Sequence, residues 1–196
     1  VGTPGRKGET WYALQLAMST ASLTESDLTI QDIGYTQQAA LVGGKVDAVV
    51  GYSNNDAIQI RQAGTPVRTI QVADRIPLVG VSLVTTRSLL DSRRQDLETV
   101  VKASIKGMTA FVKDPDAAVE ATKVHMDDLK VDQTQAARAR EVAVATGKLV
   151  SGDGSHPIGS VRVDDVAAMI EFLTSHKLLG DKKTPKAAEV CVPLAQ

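Results

Sequence analysis

Along the first third of the chain, apolar positions switch repeatedly between a helical and an alternating period. At residues 9–21, Trp11, Leu14 and Met18 return every three or four positions and Leu16 widens the stripe, which predicts a helix. Residues 29–33 alternate like a strand. Residues 37–42 read as a short helix stopped by Gly43-Gly44. Residues 47–51, Asp-Ala-Val-Val-Gly, form a short apolar run of strand type. Asn54 or Asn55 is placed to cap a helix that runs to about Ala63 and ends at Gly64. Residues 67–72 predict another strand. The opening, Val1-Gly2-Thr3-Pro4-Gly5, reads as the end of a strand entering a glycine-rich turn. Residues 1–72 thus alternate four strands with three helices, the pattern of an α/β layer on a largely parallel sheet.

The second part changes character. Residues 78–86 predict one more strand, after which the pattern is helical. Residues 95–112 carry Leu97, Val100, Val101, Ser104, Ile105, Met108 and Phe111 on one side. Asp114-Pro115 opens the next helix, because proline fits a first helical turn. Residues 134–146 and 164–176 predict two more, separated by a loop at 151–157. The tail after Gly180, with Lys182, Lys183 and Lys186, is expected to be exposed. No repeat recurs at a fixed period.

Composition excludes several classes. Of 196 residues, 43% are hydrophobic, enough for a core, and 22 basic against 23 acidic residues leave a net charge of -1. That balance argues against nucleic acid as a partner. No apolar run approaches the roughly 20 residues of a membrane span. The single cysteine, Cys191, excludes an internal disulfide framework and a cysteine-rich metal site. The chain opens without an initiator Met or a charged-then-apolar leader, so it is expected to begin partway through a larger protein.

Three polar or aromatic clusters follow predicted strands. In Gly5-Arg6-Lys7-Gly8-Glu9-Thr10, a glycine-rich loop enters a helix. Free backbone N–H groups, with Arg6, Lys7 and the Thr10 hydroxyl, would suit an anionic or strongly polar group. The spacing is neither that of a P-loop nor that of a dinucleotide fingerprint, and an ordinary strand-to-helix turn would look the same. Around Gly34-Tyr35-Thr36-Gln37-Gln38 and Tyr52-Ser53-Asn54-Asn55-Asp56, tyrosines lie just past strand ends. Ligands of parallel α/β sheets bind beyond those ends. Four of the six aromatics, Trp11, Tyr12, Tyr35 and Tyr52, fall within residues 11–52, a distribution that favours stacking on a flat or apolar ligand. Either Trp11 or Tyr12 is expected to pack in the core instead, and one of the asparagines to serve only as a cap.

The residues usual in catalysis are scattered. His125, His156 and His176 are far apart and outside the α/β part, without metal-ligand spacing. Ser155-His156 sits on a loop without a nucleophile-elbow pattern, and Cys191 reads as a buried thiol. No catalytic residue, metal site or cofactor is expected.

Three blocks in this order carry a resemblance. They are Val1-Gly2-Thr3-Pro4-Gly5 with Tyr12-Ala13-Leu14; Gly34-Tyr35 through Gly44-Lys45-Val46-Asp47-Ala48-Val49-Val50-Gly51-Tyr52-Ser53-Asn54-Asn55; and Leu83-Val84-Thr85 followed by residues 100–111 and Lys113-Asp114-Pro115-Asp116-Ala117-Ala118. Together they resemble the periplasmic substrate-binding proteins of the nitrate/sulfonate/taurine and thiamine-pyrimidine-precursor type of ABC transporter. The resemblance is good over about residues 1–120 and loose beyond. It implies a type 2 periplasmic-binding-protein-like α/β fold. Residues 1–75 would be one complete α/β lobe, lobe two, and residues 76–196 the helical returning part of lobe one with the C-terminal tail. A hinge near 72–77 would let the lobes close on a ligand. Family members usually carry about a hundred more residues before this point. A lobe one without its first strands would expose sheet edges, and self-association would follow.

The resemblance further implies a ligand site lined by Gly8, Thr10 and Trp11, by Tyr35, Thr36 and Gln37, and by Tyr52, Asn54, Asn55 and Asp56. The aromatic-rich, near-neutral lining resembles members that bind vitamins or their precursors, and suits a heteroaromatic ligand. The expected function is the solute-binding component of an ABC importer, at the periplasmic or extracellular face of the membrane. Its partners would be a small molecule and the membrane permease. Two alternatives stand beside it. A pyrimidine synthase of thiamine biosynthesis shares the fold but carries a cysteine-rich motif and an active histidine. A ligand-sensing domain would need an attached regulatory module.

Overall fold

The computed structural model describes residues 1–72, 79–180 and 183–194. The chain divides into two compact units. One comprises residues 1–75 and 134–142, the other residues 76–133 and 143–196.

The first unit is built on a small parallel sheet. Strand β1 (Gly2–Thr3) leads through helix α1 (Gly8–Thr20) and a 3-10 turn (Glu25–Asp27) to strand β2 (Gln31–Asp32), and pairs with it in parallel, Gly2 opposite Gln31 and Thr3 opposite Asp32. Helix α2 (Gln37–Val42) follows, and the chain then returns to the other side of β1. There the Gly2 N–H donates to Ala48 O at 2.8 Å and the Val50 N–H to Gly2 O at 2.9 Å, which makes a single parallel bridge between Gly2 and Val49. Helix α3 (Asp56–Gln62) completes the run. β1 is therefore central, with β2 on one side and residues 48–50 on the other.

Apolar spacing explains the packing. Trp11, Leu14 and Met18 of α1 form one buried cluster, against which Val1, Tyr12, Leu28, Ile30 and Val50 pack. Both aromatics at the start of α1 therefore pack, Trp11 wholly and Tyr12 in part, where one was expected to stay free. Ala40 of α2, Val46 and Ile58 and Ile60 of α3 are also buried.

The sheet is smaller than the sequence pattern predicts. The strand expected at 47–51 is reduced to the one bridge. Residues 67–72 form no strand, and Ile70 is left 77% exposed. Of the strand expected at 78–86, Leu78 lies outside the described residues. Residues 79–86 are irregular, with Val81, Leu83 and Val84 exposed. Alternation marks a segment able to pair, but a strand forms only where a neighbour satisfies its N–H and C=O groups. Among the described residues neither segment has such a neighbour. The hinge expected near 72–77 falls, beyond Val72, outside the described residues.

The second unit is helical. Helix α4 (Arg87–Ser92), which the pattern does not predict, is capped by the Thr86 hydroxyl oxygen, which accepts from the Leu89 N–H at 3.2 Å. Helix α5 (Arg94–Lys113) follows the predicted amphipathic stretch, with Leu97, Val101, Ile105, Met108 and Phe111 half-buried and Val100 exposed. Helix α6 (Pro115–Lys123) starts where Asp114-Pro115 places it, the Asp114 carboxylate accepting from the Ala117 N–H at 2.9 Å. A short helix α7 (Asp128–Val131) precedes α8 (Gln133–Ser151), whose first half belongs to the first unit and second half to the second. Helices α9 (Val163–Ser175) and α10 (Ala187–Val190) complete the unit. Leu90, Val119, Leu129, Ala143, Phe172 and Cys191 are its buried apolar residues. Lys183 and Lys186 are exposed as expected, while Lys182 lies outside the described residues. No helix among the described residues is long and apolar enough to cross a membrane.

Candidate functional site

The order β2, β1, residues 48–50 places a topological switch point at the carboxyl end of β1. The chain leaves β1 toward one neighbour and comes back to the other, so the two connections diverge there, the place where ligands of parallel α/β sheets bind. The loops bordering it are the one from β1 into α1 and the one from residues 48–50 into α3.

These two loops are joined. The Tyr52 O–H donates to Glu9 Oε2 at 3.0 Å, linking the first turn of α1 to the entrance of α3. Partial burial and this bond raise the Tyr52 phenol above its ordinary value of 10.0, and the charge of Glu9, with Tyr35 and Asp56, adds to the effect. Tyr52 is half-exposed and Tyr35, on the loop after β2, is 90% exposed. Two tyrosine faces and a carboxylate thus lie at the carboxyl edge of the sheet.

The remaining sequence-predicted residues sort by environment. Gly8 is the exposed first residue of α1 at φ 74°, a left-handed conformation that favours glycine. Thr10 is half-buried. Trp11 is 8% exposed and belongs to the core cluster. Thr36 is exposed, and its hydroxyl donates to Ile33 O at 2.6 Å. Gln37 opens α2 and is 5% exposed. The structure therefore leaves Tyr52, bonded to Asp56, and Tyr35 open at the sheet's edge, and turns Trp11 and Gln37 into the unit.

The 52–56 turn is self-satisfied. Asp56 Oδ2 accepts from the Tyr52 N–H at 2.7 Å, while the Asp56 N–H donates back to Tyr52 O at 2.8 Å. A Cβ on Gly51 would lie 2.5 Å from Asp56 Oδ2, so this turn needs glycine there. Asn55 occupies the N-cap of α3, but its side chain makes no cap bond and instead accepts from Gln59 Nε2 at 2.8 Å. Asn54 is half-buried and engaged within the fold.

Arg6 does not stand free for an anion. It pairs with Glu25, lies 3.9 Å from Asp32, and its guanidinium sits over the Trp11 ring at 5.3 Å. Two nearby carboxylates and an aromatic face hold it inside the unit's own surface network. Lys7 is exposed at the N-cap of α1. Glu9 is the functional candidate the sequence reading passes over. In sequence it is one acidic residue in a first helical turn, a position explained by the helix dipole alone. Only the pairing of distant loops brings Tyr52 to it.

In the second unit, His156 Nε2 lies 2.8 Å from Arg162 Nη1, and Arg162 also grips Asp165. No group of three metal-ligating side chains occurs among the described residues. A shallow, mostly apolar depression lies between α9 and the segment entering α10, lined by Ala167, Ile170, Thr174, Pro185 and Ala187. It contains none of the sequence-predicted site residues.

The first unit is a small parallel α/β layer beside a helical second unit, and comparison with known proteins names the family. Residues 1–118 match the NMT1/THI5-like family, and the chain belongs to it. Among curated proteins, it is 33% identical over 120 residues to the riboflavin-binding protein RibY of Chloroflexus aurantiacus, covering 61% of this chain and 34% of that one. It is 22% identical over 153 residues to the formylaminopyrimidine-binding protein of Halalkalibacterium halodurans, covering 76% of this chain and 46% of that one. The chain thus spans between a third and a half of the length of these relatives.

Proposed function

We propose that this chain is part of an extracytoplasmic solute-binding protein that delivers a small heteroaromatic molecule, a vitamin or vitamin precursor, to the permease of an ABC importer, without catalysis. The observation that carries the reading is the pair of exposed tyrosines at the carboxyl edge of the sheet, Tyr35 on the loop after β2 and Tyr52 at the switch point, with Tyr52 hydrogen-bonded to Glu9 of the neighbouring loop. Exposed aromatic faces at a sheet's carboxyl edge suit stacking on a flat ring. The names of the two relatives, one binding riboflavin and one a formylaminopyrimidine, support the same ligand class. In this reading residues 1–75 are lobe two and carry Gly8, Thr10, Thr36, Tyr35, Tyr52, Asn54, Asn55 and Asp56 toward the ligand. Trp11 and Gln37 support them from behind. Residues 76–196 are the returning part of lobe one.

The test is native mass spectrometry of the purified protein, followed by titration with riboflavin, formylaminopyrimidine and taurine. Non-covalent retention of a heteroaromatic molecule, or selective binding of either heterocycle, is the expected result. Tight, selective binding of taurine would overturn the ligand class, and covalent turnover of a bound pyrimidine would overturn the non-catalytic role.

A further inference from the structure

The Tyr52–Glu9 pair at the switch point has one hydrogen-bonding polarity. A phenol has one proton to donate, and Tyr52 gives it to Glu9 Oε2 at 3.0 Å. What Tyr52 can then offer outward is its oxygen lone pairs. An ionised Glu9 is itself an acceptor only, with Oε1 beyond the Tyr52 bond. The Asp56 carboxylate, which already takes the Tyr52 N–H at 2.7 Å, adds negative charge beside them. Of the two cations on the first loop, Arg6 is paired with Glu25, and Lys7 is exposed at the N-cap.

We infer that Glu9 is a specificity-determining residue. It fixes the Tyr52 hydroxyl as an acceptor and adds its own carboxylate, so that the face selects heteroaromatic ligands presenting an N–H or amino donor edge. The inference rests on the function proposed above and names the part of the ligand that is read. A ligand whose donor edge is blocked leaves these acceptors desolvated and unpaired. This penalty acts on discrimination rather than on binding of every ligand alike. A Glu9 that served only the dipole of α1 would have no need to reach the loop before α3, and its loss would weaken all ligands equally.

The experiment is calorimetric titration of the protein, its Glu9→Gln variant and its Tyr52→Phe variant. The probes are riboflavin and 3-methylriboflavin, formylaminopyrimidine and its N-methylated counterpart, and taurine. The expected wild-type result is that the donor-bearing form of whichever heterocycle binds is preferred about 10-fold or more over its methylated form, the loss of a hydrogen bond to a charged acceptor. In Glu9→Gln that preference falls to within about 3-fold, while melting temperature reports folding separately. Tyr52→Phe, which removes the fixed acceptor, narrows the preference in the same direction and serves if Glu9→Gln fails to fold. Equal wild-type binding of parent and methylated forms overturns the role of Glu9 and leaves the heteroaromatic reading standing. So does a uniform weakening in Glu9→Gln with the preference intact. Binding of taurine with neither heterocycle bound overturns both.

Discussion

Two aromatic residues of the first unit have opposite meanings here. Trp11 is 8% exposed within a cluster with Leu14 and Met18, whereas Tyr35 is 90% exposed. Trp11→Ala is expected to cost about 3–5 kcal/mol in chemical denaturation, through lost burial and an unfilled cavity. Tyr35→Ala is expected to leave stability within about 0.5 kcal/mol of wild type. It should weaken binding of a heteroaromatic ligand by about 1 kcal/mol, or about fivefold, in the same titration that tests the function. Tyr52 adds a pH dependence. Burial and the Glu9 bond raise its phenol above 10.0, so the folded state favours the neutral form. The stabilisation is fully present below the ordinary tyrosine value and is lost as pH rises through the higher folded value. An ultraviolet difference titration of wild type against Tyr52→Phe should therefore show this hydroxyl ionising late. Glu9→Gln, which removes the charge but keeps an acceptor, should bring it down toward 10.0.

At the scale of elements, local signals were readable where the chemistry is local. Gln37–Val42 begins and ends where its sequence places it, and Asp114-Pro115 opens α6 through a side-chain bond to the Ala117 N–H. Asp114→Ala is expected to cost about 0.5–2 kcal/mol and to increase hydrogen exchange in the first turn of α6, read by mass spectrometry. Asn55 is the contrasting case. It stands at the N-cap of α3, yet its amide turns to Gln59 while Asp56 closes the turn onto Tyr52. A sequence names the residues able to cap, and competing partners a few residues away decide which one does. Strands were the least legible elements, because the alternation at 67–72 and 79–86 is a capacity to pair that depends on distant neighbours.

For the whole molecule, membership of the NMT1/THI5-like family agrees with the resemblance carried by three blocks of the sequence. The Gly-Lys-Val-Asp-Ala block lies in the return to β1, where residues 48–50 take their place beside the central strand. In the non-catalytic reading His156, whose ring lies beside Arg162 in the second unit, has no part in ligand handling. His156→Ala should leave ligand affinity and fold unchanged, as measured by titration and circular dichroism. A change in bound ligand between wild type and His156→Ala, detected by mass spectrometry, would instead favour the enzyme reading.

The sequence by itself determined the helical periods, the buried face of α1, the stop of α2 at Gly43, the start of α6 at Asp114-Pro115, and the loops on which the tyrosines lie. These follow from neighbours within a few residues, and local geometry governs them. Tertiary structure decided which alternating segments became strands, which of Trp11 and Tyr35 faces water, that Arg6 is held by Glu25, and that Glu9 meets Tyr52. Each of those outcomes joins residues that sequence distance keeps apart. They arise only when parallel pairing on both sides of β1 brings the ends of separate loops to one edge.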